Sequence, residues 1–378
     1  MKKRVLLVVP SITGGGFEKA AVDTAKTLKE FCEVKLVVFH RHEVEYETDC
    51  EIISFDVNVG KNFISKFFNQ LKRISMLKKL RKSFKPNVVY SFGRTAGITN
   101  VFSKTKNNGK TVVAVHGYGQ ATSNFTAKII YTKADVVSCV SKEIKEKIEK
   151  TYPKIKHCVT IENGYPIDEI ISKSEELVTF DKADINLVAM GRLDKVKGFN
   201  RLIRAFSLVD EKIKNAKLFF LGSGAEEQEL KALAKSLNIE DKVKFLGFQK
   251  NPYAFLSKMD VFVMSSYSEG FPNSIIESMA CQTPVISVDC KSGPKEILRE
   301  EFSNKEVKNF SLEKYGILTQ NFGDDEAVSV CLANAILYAV SNKELLSEYK
   351  NLSIKRARCF SLVEYRRKFE KLFQLIEG

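Results

Sequence analysis

The sequence predicts an α/β protein of two successive Rossmann-like units, each a doubly wound parallel sheet covered by helices. Three observations carry this reading. Short continuous apolar runs, Val5 to Val9 and Ile185 to Met190 among them, alternate with longer stretches whose apolar residues recur at three and four positions. The first run of each series leads into a glycine-bearing loop, Thr13-Gly14-Gly15-Gly16 in one case and Gly191 to Gly198 in the other. Finally, 378 residues is long for one core, and the alternation restarts after an aperiodic stretch. We therefore place an N-terminal domain over 1–165, a linker over 166–184 and a C-terminal domain over 185–357.

In the first domain, Val5 to Val9 has the unbroken apolarity of a strand buried on both faces. A helix follows the glycine loop through Ala20, Ala21, Ala25 and Leu28. Strand, glycine loop and helix N-terminus make a phosphate cradle in which Gly15 and Gly16 let a ligand approach the backbone. A dinucleotide fingerprint is not met, because Lys19 stands at the last glycine place and the second strand, Val34 to Phe39, ends in His40-Arg41-His42 instead of an acid. Asn87 to Ser91, Thr111 to Val115, Ala134 to Val140 and Val159 to Ile161 supply further strands. His116 ends one of them, the place where open α/β sheets present residues to a ligand. A histidine that only caps a turn is the plainer alternative.

The net charge of +14 points to an anionic partner: nucleic acid, a phosphate-bearing substrate or a membrane surface. Residues 61–85 concentrate it, with nine Lys and Arg, no Asp or Glu, and Phe63, Ile64, Phe67, Phe68, Leu71, Ile74, Leu77, Leu80 and Phe84 mostly at helical spacing. This reads as an amphipathic helix with a purely basic polar face, suited to an anionic membrane surface. Its apolar stripe can equally pack on its own domain. Nucleic acid is not expected, since the aromatics do not interleave with the charges.

In the second domain, Lys217 to Leu221, Val243 to Gly247, Val261 to Met264, Val285 to Val288 and Gly316 to Leu318 continue the strand series. Helices are expected from Asn200, over Glu226 to Leu237, over about 325–338, and from Lys343 to Glu377. The stretch from Met264 to Asp289, MSSYSEGFPNSIIESMACQTPVISVD, is the richest in chemistry. A strand yields to a polar loop, Gly270-Phe271-Pro272 turns the chain, and Asn273 or Ser274 can cap a helix carrying Glu277 one turn in. Glu269 and Glu277 thus flank a helix N-terminus whose amides favour anions. Carboxylates for hydroxyls and amides for phosphate suit a sugar nucleotide.

The eight cysteines include no Cys-x-x-Cys pair and read as free thiols in a reducing compartment. The apolar run before Pro10 is too short for a signal segment, and no later run approaches the ~20 residues of a membrane span. A cytoplasmic protein is expected.

Glu269-Gly-Phe-Pro-Asn-Ser-Ile-Ile-Glu277 resembles the Glu-x7-Glu element of the retaining, nucleotide-sugar-dependent glycosyltransferases of family 4. Gly191-Arg192-Leu193…Lys197-Gly198 is similar to a second element of that family. Gly15-Gly16, His116-Gly117, Val140-Ser141-Lys142 and Asn163-Gly164 follow the same order along nearly the whole chain. Phe17-Glu18-Lys19 departs from the Ala-Glu-Arg of many members. The resemblance implies a GT-B fold, two Rossmann-like domains facing a central cleft, with a C-terminal helix at about 358–378 completing the first domain. It implies that Glu277 holds the ribose and Glu269 the donor sugar's hydroxyls. Arg192 and Lys197 would hold the diphosphate, aided by the amide of Gly16 and by those of the segment Phe271, Pro272, Asn273 and Ser274 that carry an N–H, with His116 beside the reacting sugar. No cofactor is implied, and with no Asp-x-Asp element no metal. The expected activity is retaining transfer of a hexose or N-acetylhexosamine from a UDP sugar. Its acceptor would be lipid-linked or polysaccharide, at the inner face of the cell membrane. Cys290-Lys-Ser-Gly-Pro-Lys-Glu-Ile-Leu298 is similar to members that build bacterial surface glycans. A GT-B synthase or phosphorylase with a soluble acceptor, or a non-catalytic sugar-nucleotide binder, are the rivals.

Overall fold

A computed structural model describes residues 2–13, 16–41, 46–58, 60–106, 108–122 and 124–377. Gly15, assigned above to the phosphate cradle, lies outside them. The chain divides into two units, residues 1–164 with 362–378, and residues 165–361.

The first unit runs β1 (Lys3–Val9), α1 (Gly16–Lys29), β2 (Cys32–Val38), β3 (Glu51–Ser54), α2 (Phe63–Phe84), β4 (Val88–Phe92), α3 (Arg94–Ser103), β5 (Lys110–Val115), α4 (Phe125–Lys133), β6 (Val136–Cys139), α5 (Lys142–Thr151) and β7 (Cys158–Thr160). Its sheet is ordered β3-β2-β1-β4-β5-β6-β7, every pair parallel. The order reverses between β1 and β4, so the loops after those strands diverge and leave a crevice at their C-terminal ends. The C-terminal helix (Leu362–Glu377) covers one face: Tyr365, Phe369, Leu372 and Phe373 join Val5, Leu7, Ala21, Val88 and Tyr90 in one core. Tyr365 also shares a hydrogen bond with Thr24 (2.7 Å).

The second unit contains α6 (Ile167–Ser174), β8 (Ile185–Met190), α7 (Phe199–Lys212), β9 (Ala216–Leu221), α8 (Glu227–Ser236), β10 (Val243–Phe245), α9 (Tyr253–Leu256), β11 (Val261–Met264), α10 (Asn273–Ala280), β12 (Val285–Val288), α11 (Pro294–Leu298), β13 (Phe310–Glu313), β14 (Gly316–Thr319), α12 (Asp325–Ser341) and α13 (Lys343–Arg358). The strand order is β10-β9-β8-β11-β12-β14-β13, parallel except for the edge strand β13. The reversal here falls between β8 and β11. The stretch 166–184 is not featureless: α6 occupies part of it and packs on α9 and α10.

Helix α2 differs from its sequence reading. The apolar and basic residues are not on opposite faces. Phe63, Ile64, Phe67, Phe68 and Leu71 are all exposed, whereas Arg73 and Arg81 are buried. Arg73 donates to the carbonyls of Val57 (2.7 Å) and Asn58 and lies over the Phe39 ring. Arg81 donates to Ser103 Oγ (3.0 Å), Asn108 O (3.0 Å), Asn100 O (3.1 Å) and the Asn100 side chain. Two guanidinium groups thus tie α2 to α3 and to the loops around Val57 and Asn108, their charge strengthening bonds that a neutral donor would make more weakly. Lys72, Lys78, Lys79 and Lys82 remain exposed.

Candidate active site

The reversal of strand order in the second unit brings together two loops distant in sequence. One follows β8 and carries Gly191 to Gly198; the other follows β11 and carries Ser265 to Pro272. Backbone proximity here depends on missing side chains. A Cβ on Gly198, where φ is +60°, would stand 2.3 Å from the Ser265 carbonyl oxygen. A Cβ on Gly222 would stand 2.0 Å from the Gly191 carbonyl, so the loop after β9 closes directly on the loop after β8. The Gly222-Ser-Gly224 turn is therefore packing for the site's frame.

Within that frame Lys197 and Glu269 meet. Lys197 Nζ lies 2.7 Å from Glu269 Oε1, both side chains largely buried. Ser266 Oγ donates to the same oxygen at 2.7 Å. The lysine stem lies against Gly191, whose Cβ would be 3.2 Å from Lys197 Cε. Ser265 Oγ donates to the Lys197 carbonyl (3.0 Å), pinning the base of that side chain. Arg192 does not join this pair. It is exposed and holds Asp194 at 2.7 Å.

Helix α10 begins at Asn273, with Pro272 at its cap position and no side-chain cap bond. The expected cap by Asn273 or Ser274 is thus absent: Asn273 Oδ1 instead accepts from Tyr165 OH at 2.7 Å, and Ser274 O accepts from Ser278. Phe271 is buried against Phe360, ring centroids 5.3 Å apart. Glu277 sits one turn into the helix, and Tyr253 OH donates to its Oε1 at 3.4 Å. The turn at 270–272 is buttressed from the loop after β12. Ser292, at φ +72°, donates its hydroxyl to the Gly270 carbonyl, and a Cβ on Gly293 would strike Pro272 Cδ. The Cys290 to Leu298 stretch is thus a support for the glutamate loop, anchored by the buried pair Lys295–Asp289 (3.3 Å).

In the first unit, Gly16 is the first residue of α1, and a Cβ there would meet nothing within 4 Å. His116 follows β5, two strands along the sheet from β1. Its ring stacks on Phe92 (centroids 5.4 Å, 24°), and its amide donates to Gln120 Oε1. Nε2 is shielded from solvent and has no hydrogen-bond partner among the described residues. Burial lowers the imidazole to about 4, so it is neutral at physiological pH. A sealed, uncharged nitrogen without a partner is an available hydrogen-bonding group.

Comparison with known proteins gives these residues a context. The description "Glycosyltransferase Family 4" matches residues 14–169, and "Glycosyl transferases group 1" matches 172–351. An uncharacterized glycosyltransferase of Methanocaldococcus jannaschii is 30% identical over 92% of this chain and 94% of its own. The chain belongs to the family 4 glycosyltransferases. A Campylobacter jejuni relative, N-acetylgalactosamine-N,N'-diacetylbacillosaminyl-diphospho-undecaprenol 4-alpha-N-acetylgalactosaminyltransferase, is 27% identical over 96% of both chains. Among solved structures, sucrose-phosphate synthase from Thermosynechococcus elongatus superposes with a TM-score of 0.78 at 18% identity, covering 99% of both chains. The fold is GT-B, as the resemblance implied.

This glycosyltransferase also holds its site with residues the motifs do not announce. Ser266 shares Glu269 with Lys197, and only its place in the polar loop hinted at it. Tyr253 and Tyr165 carry no local signal. Arg201 is buried beneath Tyr267, its guanidinium 3.6 Å from the ring centroid, and pairs with Asp325 at 2.6 Å. Tyr267 OH donates to the same aspartate at 2.6 Å, so this cluster ties the β11 loop to α7 and α12. No helix of the described residues is long and apolar enough to cross a membrane.

Proposed function

We propose that this glycosyltransferase moves a hexose or N-acetylhexosamine from a UDP sugar, with retention and without a metal, to a lipid-linked or polysaccharide acceptor at the inner membrane face. The Lys197–Glu269 pair at the β8/β11 reversal is the observation that carries the proposal. A cation and a carboxylate held together at such a point match a ligand that brings phosphate and hydroxyls side by side.

The roles follow from charge development. As the anomeric bond breaks, negative charge accumulates on the leaving diphosphate, and fixed cations gain most from that change. Lys197 is the rigid cation, its stem held by Gly191 and its head by Glu269. Arg192, exposed and lightly tethered, is the mobile one. The amides of Phe271, and of Asn273 and Ser274 at the start of α10, add donors and the positive end of a short dipole, while Pro272, which has no N–H, sets the turn. Glu269 accepts a sugar hydroxyl in addition to Lys197 and Ser266, and Glu277 accepts the ribose. For Gly16 and His116 the proposal keeps the roles that the resemblance implies: an amide for phosphate, and a neutral imidazole beside the sugar. No side chain is asked to act as nucleophile; the leaving phosphate takes the acceptor's proton.

The lipid-linked acceptor is supported by the Campylobacter relative, whose acceptor by name is a diphospho-undecaprenol, and by the exposed basic helix α2. The test is UDP release from a panel of UDP-hexoses and UDP-N-acetylhexosamines, with and without EDTA, beside thermal shift on the same panel. Expected is a donor that raises the melting temperature and is turned over equally with chelator. A chelator-sensitive rate, or no response to any UDP sugar, would overturn the reading.

A further inference from the structure

The solvent face of α2 changes character along its length. At about 100° per residue, Phe63, Ile64, Phe67, Phe68 and Leu71 fall within an arc of about 140°. Lys78 and Lys82 continue that same arc toward the C-terminal end, with Lys72 and Lys79 at its margin. The adjoining arc is buried through Arg73, Leu77 and Phe84, and Arg81, about five turns on at the same angle as Phe63, is buried as well. Phe63 is 84% exposed, Ile64 66% and Phe68 62%, far from the isolated surface leucine that needs no explanation. Three exposed phenylalanines and two aliphatics within three turns form a contiguous apolar patch. Behind it, on the same side, lies a field of lysine.

The surrounding charge decides the occupant. Between Asp56 and Asp135 the chain contains no Asp or Glu at all. Phe102 and Phe125, also exposed, lie in this acid-free segment, and α3, which carries Phe102, packs on α2. A second copy of the chain docking patch to patch would bring two acid-free, lysine-rich surfaces together, with nothing to neutralise them. A bilayer with anionic headgroups answers both halves at once: hydrocarbon for the rings and phosphate for the ammonium groups.

We infer that α2 is a membrane-insertion helix that enters the bilayer N-terminal end first and inclined, its Phe63–Leu71 stripe in the acyl boundary and Lys72–Lys82 at the headgroups. An amphipathic helix with lysines flanking its apolar face would lie flat. Here only Lys66 flanks the apolar stripe, about 60° to the side of Phe63, while Lys78 and Lys82 follow the apolar residues along the same face, so depth must fall from the first turns toward the last. The buried Arg73 and Arg81 make this a rigid wedge, because the helix cannot roll without breaking their bonds. The inference deepens the membrane-surface part of the proposal above. Vesicle binding is read without sugar transfer, so its failure would leave the donor site standing.

The chain has no tryptophan, which makes the test direct. Flotation with phosphatidylcholine vesicles containing phosphatidylglycerol compares the wild type with Phe67→Glu/Phe68→Glu and with Lys78→Glu/Lys82→Glu. The first pair should reduce partitioning by about 100-fold, and the loss of apolar burial should keep most of that reduction at high salt. The second should reduce it by about 30-fold or more at low salt and little at high salt. Both pairs alter exposed side chains, and an unchanged melting temperature in each confirms an intact fold. In single-tryptophan variants, Phe67→Trp should shift blue and be quenched by brominated acyl chains, while Lys82→Trp should not. Undiminished flotation of Phe67→Glu/Phe68→Glu overturns the inference. So does equal quenching at 67 and 82, or a wild-type dimer that the glutamates dissolve while vesicles go unbound.

Discussion

Lys197 and Glu269, 72 residues apart in sequence, share a 2.7 Å ion pair that neither local loop could make alone. The pair exists because β8 and β11 are neighbours in the sheet, so the loops that follow them start side by side. It also sets how the site tolerates change. Removing one partner strands the other, whereas removing both leaves only a cavity.

With Lys197 in its proposed role as a cation beside the leaving diphosphate, Lys197→Ala should lower donor turnover by about 10²–10³, and it should also lower the melting temperature because Glu269 is left without its cation. Glu269→Gln keeps the shape and the Ser266 contact but loosens Lys197. The double variant should cost less than the sum of the singles in a stability cycle. Steady-state rates and urea melts measure both.

Glu277→Ala should act on binding rather than on the frame. Losing a charged acceptor for a hydroxyl is worth about 1.5–3 kcal/mol. The expected readout is a donor-induced thermal shift that vanishes at concentrations that saturate the wild type. A variant with the wild-type shift for every nucleotide tested would remove Glu277 from the ribose.

Gly222→Ala tests the packing of the loops. The new methyl would lie on the Gly191 carbonyl at a φ of +140°, a conformation alanine resists. A loss of about 1–3 kcal/mol is expected, with a fall in activity per folded molecule because the loop bearing Lys197 must shift. Gly247→Ala supplies the comparison: its φ is also positive, at +68°, but no atom lies within 4 Å.

His116 makes stability depend on pH. Its folded value of about 4 lies below the ordinary 6.5, so between these limits the unfolded chain binds the proton and the folded one does not. The contribution is complete above about pH 6.5 and is lost as the pH falls toward 4, by up to about 3 kcal/mol. The stability difference between wild type and His116→Gln should therefore shrink on acidification across that window. Denaturant melts at pH 7, 5.5 and 4.5 follow it.

Arg81→Met should destabilise by about 3 kcal/mol or more, since Asn100, Asn108 and Ser103 lose a buried donor together. Lys78→Met, three residues earlier on the same helix, should fall within about 0.5 kcal/mol. Thermal melts of the two variants separate a strut from a surface charge that composition alone counts as equal.

That contrast marks what the sequence could carry. Strands such as Val5 to Val9 and Ile185 to Met190 were legible because a parallel sheet buried on both faces needs unbroken apolarity. Lys197, Glu269 and Glu277 were legible as motif members, but their pairing was not, since it follows from strand order and not from spacing. Burial of Arg73 and Arg81 was hidden because their acceptors lie far off in sequence, the carbonyls of Val57 and Asn108 in loops and that of Asn100 in α3. Edge strand β13, half exposed with Leu312 on the solvent side, lacks the apolar run that announces a buried strand. Helix α3 was missed because its buried side is built largely from Ala96, Gly97, Thr99 and Asn100, and α4 because its nine residues bury only Ala127, Ile130 and Tyr131, too few to show a period.

The C-terminal helix gives the protein an unusual order of assembly. Residues 165–361 form an uninterrupted segment with its own sheet and core, complete as soon as it leaves the ribosome. The first unit has no such independence, because Tyr365, Phe369 and Phe373 fill the face made by Val5, Ala21 and Tyr90. During translation of the entire second unit that apolar face stays uncovered, open to chaperones and to misassociation. The half of the chain made first needs the residues made last to close its core.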